Sequence, residues 1–130
     1  MSEKIRVVII EDSLDLRDIL HKLFRYRAPD IEVVASVASG MEGIELTKEY
    51  QPDIVLMDIN LPGLNGIELT KTIRQEVPSS EIILMSGQVG PEDVRRSRLA
   101  GARHLLVKPM DGDALISTIR TICKTTAAAE

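Results

Sequence analysis

The sequence predicts an α/β domain, a parallel sheet of five strands with helices on both faces. Two observations carry that prediction. Short apolar runs alternate about five times with stretches whose apolar residues recur at helical spacing, without a repeat or an internal linker. The runs are rich in Val, Ile and Leu and nearly continuous, as strands buried on both faces are. Alternation of this kind implies parallel neighbours joined by right-handed crossovers.

Ile5 to Ile10 is β-branched and reads as the first strand, ending in the carboxylates Glu11 and Asp12. Leu16, Ile19, Leu20, Leu23 and Phe24 then mark one apolar face of a helix. Pro29-Asp30 closes the connection to a second strand, Ile31 to Val37, and Ser39-Gly40 leads into a helix carrying Ile44, Leu46, Thr47 and Tyr50. The third strand, Ile54 to Asp58, runs into Leu61-Pro62-Gly63-Leu64-Asn65-Gly66, a loop rich in turn formers. A third helix points Ile67, Thr70, Ile73 and Val77 inward and stops at Pro78. The fourth strand, Glu81 to Met85, ends at Ser86-Gly87. Pro91-Glu92-Asp93 starts a helix that reaches Ala100, with Gly101 as its natural C′ residue. His104 to Val107 is a short fifth strand ending at Lys108-Pro109, and Asp111 or Gly112 starts a last helix with Leu115, Ile119 and Ile122 on one face. Residues 1–124 form the domain, and 125–130, small and polar, read as a tail or the start of a linker.

Composition narrows the function. At 130 residues the chain makes one domain, able to bury roughly two-thirds of the surface its unfolded form exposes. Aromatic residues are 2% and Trp is absent, so no platform for stacking nucleic acid bases is available. A net charge of −4 gives no general pull toward nucleic acid or anionic lipid. The lone Cys123 rules out an internal disulfide and suits a reducing compartment. No apolar run approaches the ~20 residues that span a bilayer, and no signal peptide opens the chain. A cytoplasmic domain is expected.

The strand ends are the informative part, carrying in turn Glu11-Asp12, Asp58, Ser86 and Lys108. In a parallel sheet these ends share one edge, where open α/β sheets place their chemistry. Unit charges ~4 Å apart repel by roughly 4 kcal/mol at an effective dielectric of 20, so three carboxylates together call for a cation. A hard divalent ion held by few carboxylates and several waters, Mg²⁺, is the natural occupant. Lys108 and Ser86 suit an incoming phosphoryl group, and Asp58 then has the makings of a carboxylate nucleophile. Each residue alone also has a plain reading. Asp12 fits a helix N-cap and Asp58 a turn residue before Pro62. Ser86-Gly87 fits a simple turn, and Lys108 a solvated strand end.

In this order and spacing the constellation resembles the receiver domain of two-component response regulators. The matching pieces are Val8-Ile9-Ile10-Glu11-Asp12, Pro52 to Asp58, the Pro62-Gly63 to Gly66 loop, Leu84-Met85-Ser86-Gly87, and Gly101-Ala102 through Lys108-Pro109. The resemblance implies a flavodoxin-like (βα)5 three-layer sandwich of strand order 2-1-3-4-5. It implies that Glu11 and Asp12 help hold Mg²⁺, partly through water, with Asp58 and the Asn60 carbonyl as further ligands. Asp58 would accept phosphoryl from a sensor histidine kinase or phosphotransfer protein, in a reaction the domain itself catalyses without being an enzyme in the usual sense. Ser86 and Lys108 would contact the phosphoryl oxygens, and the Lys108–Pro109 bond would be cis. The output would be altered contact with a downstream effector domain or protein, with a homodimer also open and no direct contact with nucleic acid or membrane.

Added charge at Asp58 would draw Ser86 and Lys108 inward, and the helix from Pro91 is the expected mover. Apart from Val94 and Leu99 its middle is Arg95-Arg96-Ser97-Arg98, which offers little to bury. Those arginines read either as a solvated face or as a docking surface for an acidic partner. Leu105 departs from the family, which more often carries Tyr or Phe there, so a switch coupled through a rotating ring is not expected. The segments Ser86 through Arg96, Leu99 to Arg103 and Leu106 to Pro109 are also similar to receivers fused to MinD-type ATPases of pilus assembly. On that narrower resemblance the chain is an excised N-terminal domain, and the other reading is a stand-alone receiver.

Other classes fit less well. Asp58-Ile59-Asn60 is similar to the Asp-x-Asp of haloacid-dehalogenase-type phosphohydrolases, but the third residue is Asn and the motif follows the third strand. A flavin-binding flavodoxin relative lacks both its phosphate cradle and its aromatics. A receiver-like interaction module without phosphorylation keeps the fold, but leaves the acidic strand ends without a task. His21 and His104 have no metal-ligand spacing.

Overall fold

A computed structural model describes residues 3–129, with side chains through Lys124. The elements run β1 (Ile5–Ile10), α1 (Leu14–Arg27), β2 (Ile31–Val37), α2 (Gly40–Tyr50), β3 (Ile54–Asp58), β4 (Asn60–Leu61) and β5 (Leu64–Asn65). They continue α3 (Gly66–Glu76), β6 (Glu81–Ser86), α4 (Pro91–Ala100), β7 (His104–Val107) and α5 (Gly112–Ala129). The main sheet has order β2-β1-β3-β6-β7, every pair parallel, and β4-β5 is a separate antiparallel ribbon. Counting only the main-sheet strands, this is the 2-1-3-4-5 order expected of a flavodoxin-like sandwich.

The reason for three layers is visible in β1 and β3. Successive side chains of a strand point to opposite faces. Val7, Ile9, Ile54 and Leu56 therefore pack with Leu20 and Phe24 of α1 and with Leu115, Ile119 and Ile122 of α5. Val8, Ile10, Val55 and Met57 face the other way, onto Ile67, Leu69 and Ile73 of α3 and Ala100 of α4. Each fully buried Ile or Leu contributes about 1.5–3 kcal/mol relative to exposure, so these strands have no solvent face to give up. The helix facing β1 needs small residues to come close. A Cβ on Gly43 would lie 2.3 Å from Ile10 Cδ1, and one on Gly40 2.6 Å from Leu69 Cδ1.

Several expectations change in detail. The Leu61–Gly66 loop is a hairpin, β4 and β5, turned by Pro62 and by Gly63 at φ 72°, the positive φ that a Pro-Gly type II turn places on its glycine. Ile19, assigned to the inner face of α1, is 60% exposed, whereas Leu20 and Phe24 are buried and Leu16 and Leu23 pack against the same core. Tyr50 is likewise exposed, at the last residue of α2. Ser13, not Asp12, caps α1, its hydroxyl accepting the Leu16 N–H at 3.2 Å. Residues 125–129, expected as tail or linker, continue α5 as helix, and Glu130 lies outside the described residues. No helix among the described residues is long and apolar enough to cross a membrane.

Candidate functional site

The site is built from four strand ends. β1 delivers Glu11, whose N–H still pairs with the Val37 carbonyl of β2 at 2.9 Å, so its side chain turns from the ladder into the sheet edge. β3 delivers Asp58, paired in register with Met85 of β6, and the chain then reverses through the β4-β5 hairpin. That reversal brings α3 back hard against the strand end. A Cβ on Gly66 would sit 2.5 Å from the Asp58 carbonyl oxygen, so the approach requires glycine at this position. β6 delivers Ser86, whose carbonyl accepts the Lys108 N–H at 2.8 Å and so carries the ladder one residue past β7. The Lys108–Pro109 peptide is cis, as the resemblance implied.

Lys108 Nζ donates to Glu11 Oε1 and to Asp58 Oδ2, both at 2.7 Å, bridging two carboxylates that are 1% and 8% exposed. Asp58 Oδ1 accepts the Asn60 N–H at 2.8 Å, and Glu11 Oε2 accepts the Ser13 N–H at 3.0 Å. Burial raises the Glu11 pKa, the Asp12 and Asp58 carboxylates add to the rise, and Lys108 and the Ser13 N–H offset part of it. Burial alone would lower Lys108, but its bonds to Asp58 and Glu11 outweigh that and hold the ammonium above its ordinary value. The lysine is the resident counter-charge of the pocket.

Glu11, Asp12 and Asp58 can place one carboxylate oxygen each within 4.8 Å of one another. The first and third are buried and Asp12 is exposed. All three donors are hard oxygens, the set that Mg²⁺ or another hard divalent cation takes. Both Glu11 oxygens already accept hydrogen bonds, which suits a ligand acting through water, whereas the Asp12 carboxylate is open to solvent. The donor chemistry fits a metal, and the plain reading of Asp12 as a helix cap fails because Ser13 holds that place.

Ser86 is buried at the strand end, but its hydroxyl does not reach into the pocket. It donates to the Gln88 carbonyl at 2.8 Å and accepts the Gln88 N–H at 3.3 Å. Asn60 begins β4, held two residues beyond Asp58 by its own N–H. Leu105 is half-buried against the layer that holds α3 and α4. Both His21 and His104 are exposed. Burial, followed by the fields of Asp53 and Glu81, pushes the Cys123 thiol up to about 11, which disfavours its thiolate. One residue escaped the sequence reading. Arg17, a turn into α1, donates to the backbone carbonyl of Glu11 at 2.6 Å. The only signal for it was a cation on the helix that follows two carboxylates.

Comparison with known proteins agrees with this geometry. A family model described as response regulator receiver domain matches residues 7–120. The transcriptional regulatory protein DegU of Brevibacillus brevis is 35% identical over 121 residues, covering 93% of this chain and 51% of its own length. The nitrate/nitrite response regulator protein NarL of Escherichia coli (strain K12) is 34% identical over 117 residues, covering 90% and 54%. The chain thus spans about half the length of these curated relatives. A solved LuxR-family two-component response regulator from Aurantimonas sp. SI85-9A1 superposes with a TM-score of 0.85 at 32% identity, over 92% of this chain and 85% of that one. A CheY-like receiver domain protein from Methanospirillum hungatei JF-1 reaches 0.89 over 99% of this chain and all of its own, at 24% identity, a likeness of fold alone. None of these four is a MinD-type ATPase, so the narrower resemblance gains no support from them.

Proposed function

The chain belongs to the response regulator receiver domain family, and from that premise we propose that Asp58 is its phosphoacceptor, in a Mg²⁺-dependent reaction. The observation that carries the reading is a buried carboxylate at the end of the central strand, gripped by Lys108 Nζ at 2.7 Å and the Asn60 N–H at 2.8 Å. An Asp58 oxygen attacks the phosphorus of a phosphohistidine in line, the P–N bond breaks, and the imidazole nitrogen keeps the electron pair. Catalysis is positioning and charge neutralisation.

Lys108 is already at the reacting carboxylate, so a small shift carries its ammonium from Asp58 Oδ2 to a phosphoryl oxygen. Ser86 must first turn its hydroxyl away from the Gln88 carbonyl to donate there. Asp12 and Asp58, with Glu11 through water and the Asn60 carbonyl, would hold Mg²⁺, which when bound neutralises charge on the transferring group. The donor is a sensor histidine kinase or phosphotransfer protein, and the reader is an effector domain or protein beyond this chain's residues or separate from it. Residues 1–124 are the receiver unit, the compartment is the cytoplasm, and self-association is one way the output is read.

The test is mass spectrometry after incubation with acetyl phosphate and Mg²⁺. The wild type gains one phosphoryl mass, mapped to Asp58, and Asp58→Asn gains none. Equal labelling of a folded Asp58→Asn protein would sink the assignment. Release of many phosphates per protein from a small ester would instead favour the phosphohydrolase reading.

A further inference from the structure

We propose that Arg17 is a positioning residue for the metal-holding carboxylates, acting through the peptide backbone and not through charge. The inference rests on the reading of Glu11 and Asp12 as Mg²⁺ ligands given above.

Four bonds fix Glu11, and each comes from a different segment. Its N–H goes to the Val37 carbonyl of β2, and its carboxylate accepts from Lys108 and from the Ser13 N–H. Its carbonyl accepts Arg17 Nη1 at 2.6 Å, a charge-assisted bond reaching back across a turn of α1. That carbonyl belongs to the Glu11–Asp12 peptide, so its orientation decides where the Asp12 Cα–Cβ bond points. Asp12 is exposed, and the peptide that follows it is held by the Ser13 N–H on Glu11 Oε2. Among these four bonds, only the Arg17 bond holds the peptide between the two acidic residues.

Charge and geometry make opposite predictions, which makes the role testable. The pocket carries three carboxylates and one ammonium, so a further cation nearby opposes metal binding. If Arg17 acted by charge, removing it would tighten Mg²⁺. If it acts by fixing the peptide, removing it lets Asp12 swing and weakens Mg²⁺. Partners behind metal ligands typically govern 10–100-fold in affinity, and a backbone tether at the margin of the site belongs at the lower end, about tenfold.

The experiment is calorimetric titration of Mg²⁺ into the wild-type chain, Arg17→Met, Arg17→Gln and Arg17→Lys without phosphodonor, alongside their thermal unfolding. Arg17→Met and Arg17→Gln should bind about tenfold more weakly with the melting temperature little changed. Arg17→Lys, which keeps one donor, should fall between them and the wild type. Unchanged or tighter binding in folded Arg17→Met and Arg17→Gln overturns the proposal. Failure of both to fold overturns it too, by making Arg17 a structural residue. Mapping the phosphoryl group in the same variants separates the two claims. Label on Asp58 with unaltered Mg²⁺ binding sinks only the Arg17 role, whereas a wild type that binds no Mg²⁺ sinks the reading of Glu11 and Asp12 beneath it.

Discussion

α3 and α4 have nearly equal length and lie on the same face of the sheet, yet they are held in different ways. α3 buries Ile67, Leu69, Thr70 and Ile73, and Val77 just beyond its end is 1% exposed. α4 buries only Ser97 and Ala100, while Val94 and Leu99 are 37% and 74% exposed. At about 1.5–3 kcal/mol for each large apolar side chain, α3 is anchored by several kcal/mol and α4 by hydrogen-bonded ends and two small residues. The anchored helix is the one whose first residue touches the Asp58 backbone. The weakly anchored one follows Ser86 and Gln88. On the proposed function, the phosphoacceptor would stand against the firmly packed helix, and the neighbour that costs little to move would be the one to register its state.

The largest effect expected from this contrast is Ile73→Ala. It empties a fully buried site in α3 and should cost about 2–5 kcal/mol in urea unfolding. A cost no greater than that of Leu99→Ala would break the contrast. Gly66→Ala comes next. Its Cβ meets backbone, 2.5 Å from the Asp58 oxygen and 2.7 Å from Ile59 Cα, so no side chain can yield to it. Overpacking of that kind costs about 1–3 kcal/mol, and here it should also slow acetyl phosphate labelling, because the strand end itself must shift.

A smaller effect is expected on the opposite layer, where Arg120 pairs with Asp30 at 2.7 Å and ties α5 to the turn before β2. The hydrogen bond from Arg120 lowers the Asp30 pKa below 3.8, so the pair stabilises the fold above that pH and the contribution is lost as pH falls through the folded value. Arg120→Gln should be slightly less stable than wild type at neutral pH, with the gap closing in acid. A gap that widened in acid would contradict the pairing. The smallest effect belongs to Leu99→Ala, within about 0.5 kcal/mol by the same unfolding measurement. A larger loss would mean that α4 is better anchored than its burial indicates.

The strands were legible because their information is local. Continuous Val-Ile-Leu runs mark β1, β3 and β6, and turn residues mark their ends, so Asp58 stands at a strand terminus on local grounds alone. Helical periodicity was less complete. It gives α1 an apolar face but not how much of that face the core buries, and Ile19 lies on the surface. It also could not see the β4-β5 hairpin, whose two-residue strands are too short to show a period.

Local pattern therefore carries the alternation of strands and helices and the carboxylates, hydroxyl and ammonium that the strand ends deliver. How those groups pair is a matter of long-range packing. Lys108 lies 97 residues from Glu11 and 50 from Asp58, and no local rule ties a lysine to carboxylates so far along the chain. Ser86 turned to Gln88 and Arg17 to the Glu11 carbonyl for the same kind of reason. Backbone periodicity sets which edge a side chain reaches, whereas its partner is chosen among everything the fold brings to that edge.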